Sequence, residues 1–396
     1  MTVAGTVHAP SCEELVVRAA AVGPTLREYA RWHEDHRRLH EETLDALRDA
    51  GMHRLTLPRR YGGYECDLRT QIEVLAQIAR ADGATSWVAA VWSVCTWLVS
   101  LFPDEAQDEV FSHPDVRVSG ILSPTAKAVP ARGGLLVNGK WSFNSGARHA
   151  EWDVVAAMRA GPDDTPEPVM VIIPLSDLEI VDDWHVAGLK GTGSVSSVAD
   201  GVLVPPHRVL PILPALTGQY ASERNAASPL FRSAMVPFIA GNSSSTPLGI
   251  AKGALEAFLQ RLPGRSITYT QYSRQAEAPV THLQVAEAGI RIDSAEFHAR
   301  RAAALVDGKA ASGESWTVEE RCRVRLDAAW VCRLAKEAVD LLSSGSGASS
   351  VYSDVPIQRL ERDVRTINLH AMLNPATNLE LYGRVLCGLE PGTPFI

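Results

Sequence analysis

Cysteine is scarce in this sequence, with six residues among 396 spread from Cys12 to Cys387. No two of them form a CxxC pair or another spacing typical of a metal site. Thiols scattered in this way indicate neither a disulfide framework nor a bound metal ion. We therefore expect no metal site, and we expect a cytoplasmic protein whose thiols are reduced.

Basic residues and long apolar runs are also few. Lysine and arginine number 38 against 46 aspartates and glutamates, which gives a net charge of −8, whereas nucleic-acid binding normally needs a basic stripe. The longest apolar run, Trp87 to Phe102, is interrupted by three hydroxyl residues and falls short of the roughly 18 residues that a membrane span needs. The N-terminus lacks a charged-then-apolar signal pattern. These absences predict a protein that binds neither nucleic acid nor membrane.

A glycine pattern for dinucleotide binding is missing as well. No GxGxxG sequence stands between a predicted strand and a predicted helix. The chain therefore offers no nicotinamide site of its own.

What the sequence does contain is two changes of pattern along the chain. Apolar residues recur at helical spacing up to about residue 115, as in the segment 68–80. From 116 to about 213, short strand-like runs bounded by Gly, Pro and Asp follow one another. Long helical patterns return after Phe231 and indicate a bundle. We therefore divide the chain into a helical domain (1–115), a central β domain (116–215) and a four-helix-bundle domain (216–396).

This order of segments and three local motifs resemble the acyl-CoA dehydrogenase family. The motifs are Ala50-Gly51-Met52 with the later Tyr61-Gly62-Gly63, the run GKWSFNSG over 139–146, and GLKGTGS over 188–194, where Lys190 replaces the family's usual arginine. The resemblance covers nearly the whole chain. It implies an α+β fold with an N-terminal helical domain, a central β-barrel or sandwich, and a C-terminal helical bundle.

Within that family, the closer resemblance is to the flavin-dependent monooxygenases that hydroxylate phenols, indoles and sulfur heterocycles. The similar motifs are His149-Ala150-Glu151-Trp152, Asp183-Trp184-His185-Val186, and the run from Arg359 to Asp363 that leads to His370. The resemblance implies the oxygenase component of a two-component system. Such an enzyme takes reduced flavin (FADH2 or FMNH2) and O2, and hydroxylates a small aromatic or heteroaromatic molecule through a C4a-hydroperoxide of the flavin.

Three other functions stay open on the sequence alone. The same fold supports N-oxygenation of an amino sugar, which would need a more polar pocket. An acyl-CoA dehydrogenase or oxidase would need a carboxylate base and a CoA groove, and the dehydrogenases' Gly-rich C-terminal segment has no counterpart after Leu369. The last alternative is a scaffold protein that has lost flavin, against which the intact Ser-Gly turn and His370 speak.

The chemistry implied by the resemblance selects three catalytic residues. A site of this kind needs a dry aromatic pocket, hydroxyls at the flavin edge and a titratable group that faces the substrate. Ser145, in the Phe-Asn-Ser-Gly turn, and Ser123, at the end of a predicted strand, are predicted to supply the hydroxyls. His370 is the predicted base because histidine titrates nearest to working pH.

Flavin-binding residues are predicted on the same grounds. Thr192 and Ser194 lie in a Gly-rich loop whose backbone can approach a ring closely. Arg274 resembles the arginine that reaches the flavin phosphate from a neighbouring subunit, since a guanidinium binds phosphate through two parallel hydrogen bonds. The full predicted set is Leu122, Ser123, Trp141, Ser145, Thr192, Ser194 and Arg274.

Other aromatic residues of these segments are assigned mainly structural roles. Trp87, Trp92 and Trp97 lie five residues apart along one predicted helix, so only one or two of them can face the flavin. His149 and His185 stand in motif positions, but we expect them to brace the structure.

The resemblance also implies partners. Because the chain has no nicotinamide site, a separate NAD(P)H-dependent flavin reductase is expected to supply the reduced flavin. The fold is normally a homotetramer in which C-terminal helices pack between subunits. The sequence determines neither the identity of the small-molecule substrate nor the choice between FMN and FAD.

Overall fold

Helices precede and follow a seven-stranded sheet along the described part of the chain, in the order that the sequence predicted. The structure, a computed structural model, describes residues 9–161 and 165–396. The helices are α1 (Cys12–His36), α2 (Glu41–Asp49), α3 (Leu68–Ala79), α4 (Gly83–Val99), α5 (Asp104–Val110), α6 (Ile212–Leu216), α7 (Met235–Ser243), α8 (Ser245–Arg261), α9 (Pro279–Ser312), α10 (Val318–Gly345), α11 (Pro356–Ile367) and α12 (Pro375–Leu386). The strands are β1 (Val118–Ala131), β2 (Gly134–Asn144), β3 (Trp152–Ala160), β4 (Pro166–Pro174), β5 (Glu179–Val181), β6 (Val195–Val204) and β7 (Val209–Pro211).

The sheet has the strand order β5-β6-β2-β1-β3-β4-β7. Strands β1 and β3 pair in parallel, and the other neighbours pair antiparallel. The register of β1 against β3 shifts between Ile121 and Ala126. A shift of this kind releases side chains from the ladder. The segment that contains Leu122 and Ser123 is therefore free to line a cavity beside the sheet.

Trp141 belongs to the core of the β domain. Its side chain is fully buried and packs among the apolar residues of the sheet, and its Nε1 donates a hydrogen bond of 2.7 Å to the Ala156 carbonyl. The structure thus places the Trp141 indole inside the β domain, and its predicted contact with the flavin stays a prediction. The motif located the strand, but this residue faces the side of the sheet that packs inside the domain.

Helix α4 is buried nearly all round, and Val91 is the one residue of the helix that is only half-buried. Asp82 caps it, because the Asp82 carboxylate accepts hydrogen bonds from the Thr85 N–H (3.0 Å) and hydroxyl (2.6 Å). A helix without a polar face indicates a core position. Helix α4 packs against α3, α8 and β1, so it lies where the N-terminal helices, the sheet and the bundle meet.

The C-terminal helices form the predicted bundle, with α10 packed against α9, α8, α11 and α12. The first long helical pattern after Phe231 forms two helices, α7 and α8, which meet at Ser244. There the hydroxyls of Ser244 and Ser245 donate hydrogen bonds of 2.7 Å to the carbonyls of Gly241 and Asn242. Such side-chain bonds compete with continuous helix.

Strand β7 and helix α12 are among the elements that were not predicted. Strand β7 lies in the proline-rich segment at the end of the β domain. Pro211 pairs with Val169 of β4 at the edge of the sheet, a place where proline is tolerated. Helix α12 follows Asn374, whose side chain accepts the Ala376 and Thr377 N–H groups. The boundaries of the three domains stay predictions, and α6 spans the second of them.

No helix within the described ranges is both long enough and apolar enough to cross a bilayer. All six cysteines are free thiols, of which Cys66, Cys95, Cys322 and Cys332 are buried, Cys12 is half-buried and Cys387 is exposed.

Candidate active site

A cavity of about 880 Å³ lies where α4, β1, α7 and α10 meet the C-terminal segment, which comprises residues 391–395. This volume is within the range of small-molecule sites, about 300–1,000 Å³. Its walls are mainly apolar, with Val91, Val94 and Leu98 from α4 and Met235, Val236 and Ile239 from α7. Leu122, Ser123 and His370 also line it, so three of the predicted site residues meet in one cavity.

His370 follows α11 and is exposed to the cavity. Its ring lies edge-on to Trp87, with 5.4 Å between the ring centroids and 68° between the planes. No described residue hydrogen-bonds its imidazole. Protein atoms crowd the ring on its other sides, and the resulting loss of water lowers the pKa of His370 to about 4. The imidazole is therefore neutral at pH 7 and able to accept a proton.

A chain of buried hydroxyls joins α4 to the loop 188–194. Trp87 Nε1 donates a hydrogen bond of 3.1 Å to the Ser145 hydroxyl. The hydroxyls of Ser145 and Ser194 lie 2.7 Å apart, as do those of Ser194 and Thr192, and Thr192 donates to the Leu189 carbonyl at 2.7 Å. The structure thus brings together three of the residues predicted to bind flavin.

These three hydroxyls do not line the cavity themselves. Ser145, Ser194 and Thr192 are buried, and Trp87, which hydrogen-bonds Ser145, is the side chain that lies on the cavity wall. Trp87 therefore connects the hydroxyl chain to His370. The sequence placed Trp87 on the wall helix but gave no indication of these two contacts.

The turn that carries Ser145 is fixed from below by a second buried network. Asn144 Nδ2 donates to the Asp153 carboxylate at 2.6 Å and to the Ser197 hydroxyl at 3.0 Å, and Ser119 donates to Asp153 at 3.0 Å. Burial raises the pKa of Asp153 to about 6, although these hydrogen bonds oppose the rise. The network ties β1, β2, β3 and β6 together directly beneath the turn.

A buried charged cluster lies behind the loop 188–194. His33 Nδ1 is 3.2 Å from the Asp82 carboxylate, and Arg359 Nε is 3.9 Å from its other oxygen. Asp363, one turn further along α11, is also buried. The sequence identified Arg359 and Asp363 as parts of a motif, and the structure shows that they contact the loop and the start of α4.

The remaining predicted residues lie elsewhere. Arg274 is exposed, forms an ion pair with Glu277 and does not line the cavity of its own chain. Lys190, which replaces the family's arginine, lies 3.8 Å from Glu34. His149 accepts a hydrogen bond of 3.2 Å from the Leu39 N–H, as befits a residue that braces the structure.

The tryptophans of α4 divide as their spacing predicts. Trp87 lines the cavity, whereas Trp92 and Trp97 are buried and do not line it. Trp97 stacks on Phe238 with 4.3 Å between centroids, and its Nε1 donates to the Leu230 carbonyl at 3.0 Å. Two of the three are therefore core residues.

Arg325 is among the cavity residues that the sequence prediction missed. Arg325 of α10 lines the cavity and is 8% exposed. The sequence contained a sign of it, because Cys322, Ala328, Ala329 and Cys332 share its buried helix face. An arginine within an otherwise apolar stripe indicates a specific partner.

Comparison with known proteins agrees with the motifs. Residues 16–114 match the family model "Acyl-CoA dehydrogenase, N-terminal domain", and residues 243–375 match "Acyl-CoA dehydrogenase, C-terminal domain". The oxygenase component of the FADH2-dependent resorcinol hydroxylase of Rhizobium sp. (strain MTP-10005) is 33% identical over 95% of this chain and 95% of its own. The oxygenase subunit HsaA of a Rhodococcus jostii (strain RHA1) flavin-dependent monooxygenase is 32% identical over 94% of this chain and 98% of its own.

Solved structures give the same result. XiaF from Streptomyces sp., in complex with FADH2 and glycerol, superposes with a TM-score of 0.91 at 31% identity, covering 97% of each chain. The resemblance that the motifs predicted is confirmed.

The residues of the cavity fit a flavin. The hydroxyl of Ser123 and the imidazole of His370 face the cavity, and neither hydrogen-bonds a described residue. They leave donors and acceptors available between apolar walls, an arrangement that suits a flat ring system with polar atoms along one edge. Leu122 and Met372 offer apolar contacts for such a ring.

Proposed function

The chain belongs to the acyl-CoA dehydrogenase family and is the oxygenase component of a two-component flavin-dependent hydroxylase, and on that premise we propose that it hydroxylates a small phenol or indole in the cavity beside His370. The observation that carries the proposal is the state of His370. Its imidazole lies in a mainly apolar cavity beside Trp87 and has no hydrogen-bond partner among the described residues.

Reduced flavin supplies the two electrons with which O2 is cleaved, so that one oxygen atom enters the substrate and the other leaves as water. His370 accepts the proton of the phenol O–H or indole N–H, which makes the ring more electron-rich and more reactive toward oxygen transfer. The low pKa of His370 keeps its nitrogen available for that proton at neutral pH. The apolar side chains of α4 and α7 keep water out.

The flavin ring would contact Leu122 and Ser123 on the cavity wall, and the buried hydroxyls of Ser145, Thr192 and Ser194 would act on it from behind Trp87. Trp87 and Ser194 fix the Ser145 hydroxyl through the two hydrogen bonds that it makes, and a pre-oriented hydroxyl loses little entropy on binding. Arg274 is proposed to reach the flavin phosphate of a neighbouring subunit, since it is exposed in its own chain. FADH2 is the flavin we propose, because the resorcinol hydroxylase and XiaF are both named with it.

A second component delivers the reduced flavin, as the names "oxygenase component" and "oxygenase subunit" of the relatives imply. We propose that this component is an NAD(P)H-dependent flavin reductase, encoded separately, and that both act in the cytoplasm. The six free thiols suit a reducing compartment.

A homotetramer is the assembly we propose. Three large apolar residues of α9 are exposed at seven-residue intervals, namely Leu283, Ile290 and Phe297. Residues seven apart lie on one helix face, and an exposed apolar stripe is suited to burial against another subunit. Light scattering of the wild type and of Ile290→Glu tests this, and a monomeric wild type would refute it.

The experiment that tests the activity couples the purified protein to a flavin reductase with NADH and FAD under isotopically heavy O2. A panel of phenols and indoles is offered, and products are analysed by mass spectrometry. We expect a product that contains one heavy oxygen atom. If, with every compound of the panel, all of the oxygen consumed appears as hydrogen peroxide, the proposed substrate class is wrong.

A further inference from the structure

Charged side chains are few on the walls of the cavity. Besides His370, they are Arg325 on α10 and the pair Glu380 and Arg384 on α12. Glu380 is exposed and Arg384 is half-buried, whereas Arg325 is 8% exposed. Because His370 is neutral, the charged groups on the wall are the cations Arg325 and Arg384 and the carboxylate Glu380, so the net charge of the wall is positive. Of the two cations, Arg325 is the buried one.

Arg325 uses few of its hydrogen-bond donors. Its Nη1 donates to the Phe395 carbonyl, its Nε has no partner, and its Nη2 donates to no described residue. The acid two residues along the helix, Asp327, is already paired with His298 and Arg301. No described carboxylate forms an ion pair with Arg325.

A buried guanidinium without an opposite charge is unfavourable, because it gives up water and gains nothing comparable in return. Burial lowers the pKa of Arg325, yet an arginine stays charged at any working pH. An oxyanion in the cavity would supply the missing charge and accept the unused donors. Carboxylates do so with a two-bond geometry that matches the guanidinium fork.

We propose that Arg325 binds a carboxylate of the aromatic substrate, so that this hydroxylase acts on an acidic phenol or indole in preference to a neutral one. The inference rests on the proposed function and narrows it. His370 and Arg325 come from different segments of the chain but line one cavity. Two points of attachment would fix the orientation of the ring, and with it the carbon that is hydroxylated.

Anchoring of the C-terminal segment is the competing role for Arg325, since its one hydrogen bond goes to Phe395. Arg321 provides a matched control. It lies one turn earlier on α10 and donates to the backbone oxygens of Ile396 (3.3 Å) and Leu216 (3.2 Å), but it does not line the cavity. Arg321→Met therefore loosens the same segment and leaves the proposed carboxylate site intact.

The experiment compares two acids with their uncharged methyl esters, 3-(3-hydroxyphenyl)propanoate and indole-3-acetate. Binding is measured by anaerobic calorimetry to protein saturated with reduced FAD, in wild type, Arg325→Met, Arg325→Lys and Arg321→Met. We expect wild type and Arg321→Met to bind at least one acid about 10- to 100-fold more tightly than its ester, the range of a charge-assisted hydrogen bond. Arg325→Met should lose this preference, and Arg325→Lys should keep part of it.

Wild-type protein that shows no preference for either acid, whether acid and ester both bind or neither binds, overturns the inference. A preference that Arg321→Met abolishes as fully as Arg325→Met also overturns it, because the effect then comes from the C-terminal segment. Each acid-to-ester ratio is taken within one protein, so a general loss of stability in a variant cancels.

The phosphate of the flavin is another oxyanion that Arg325 could meet. Anaerobic binding of reduced FMN and reduced riboflavin, which differ in the phosphate, distinguishes the two sources. We expect Arg325→Met to leave the ratio of these affinities unchanged, and a selective loss of reduced FMN would assign Arg325 to the cofactor instead. Failure of the proposed function looks different, since no phenol or indole, charged or neutral, would then gain an oxygen atom.

Discussion

The backbone N–H of Leu189 donates a hydrogen bond of 2.5 Å to the Asp363 carboxylate, and both residues are buried. Leu189 has a left-handed backbone (φ 53°), which is unfavourable for a residue with a side chain. Asp363 precedes His370 by seven residues, and the loop of Leu189 ends in the hydroxyls that reach Ser145. One hydrogen bond therefore couples the two halves of the site.

Asp363 should make stability depend on pH in a defined direction. Burial raises the pKa of Asp363 to about 7, so the folded protein holds a proton that the unfolded chain releases above pH ~4. The stabilisation from this group is complete below pH ~4 and is lost as the pH rises through about 7. In Asp363→Asn this loss is absent. We therefore compare the free energies of unfolding of Asp363→Asn and wild type. Between pH 5 and 8 their difference should shift in favour of the variant by more than ~1 kcal/mol, roughly the equivalent of one pKa unit.

Urea denaturation of both proteins at a series of pH values measures this difference. Asp363→Ala is the companion variant, because it removes the acceptor of the Leu189 N–H and should cost about 1–3 kcal/mol at any pH. Parallel pH profiles for wild type and Asp363→Asn would show that the Asp363 carboxyl does not titrate in this range.

Replacing Ser145 should lower the affinity of the protein for reduced flavin. Ser145→Ala removes the acceptor of Trp87 Nε1 and the partner of the Ser194 hydroxyl. We expect reduced FAD to bind roughly 10-fold more weakly, as the loss of about one hydrogen bond implies, and more of the consumed oxygen to appear as hydrogen peroxide. Anaerobic fluorescence titration and peroxide assay measure the two effects. Ser176→Ala, an exposed serine outside the cavity wall, should behave as wild type, and an equal effect in both variants would refute the role of Ser145.

Trp87 and Ser145 should act as one unit. Trp87→Phe keeps an aromatic ring beside His370 but deletes the Nε1 donor to Ser145. Because both substitutions remove the same hydrogen bond, the double variant should lose less reduced-flavin affinity than the sum of the single losses, by about 0.5–1.5 kcal/mol. Strictly additive losses in this double-mutant cycle would mean that the hydrogen bond contributes nothing to flavin binding.

His370→Asn should lower kcat about 100-fold or more, since general bases contribute on the order of 10²–10⁴, and should leave the affinity for reduced FAD within about twofold. The pKa of His370 is about 4, so the wild-type rate should be insensitive to this group near pH 7 and fall as the pH approaches 4. His282→Asn, on the exposed surface of α9, is the control. A wild-type rate that falls with a pKa near 6.5 would indicate an imidazole open to water.

Much of the fold was predictable because the information is local. Six of the seven strands and most of the long helices are visible as periodic segments bounded by Gly, Pro or Asp. Strand β7 and helix α12 were missed because prolines at their ends, Pro211 and Pro375, resemble linker residues until their pairing or capping is known.

The place of the candidate site was predictable where a motif fixes backbone position, as it does for Ser123 and His370 on the cavity wall and for Ser145 behind it. It was not predictable where the direction of a side chain decides. Trp141 shares a motif with Ser145 and yet points into the sheet core. The distinguishing feature of Arg325 is that its Nε has no hydrogen-bond partner. Only tertiary structure shows which charges remain unpaired.

The distribution of thiols has a practical consequence for optical studies. Burial raises the pKa of Cys95 well above its ordinary value and that of Cys66 to about 12, and maleimide dyes react with thiolates. Cys387, exposed at the end of α12, should therefore take up a fluorophore first. It stands four residues before Pro391, where the C-terminal segment begins to line the cavity, so the unaltered protein already carries an attachment point for a dye that reports ligand entry in real time.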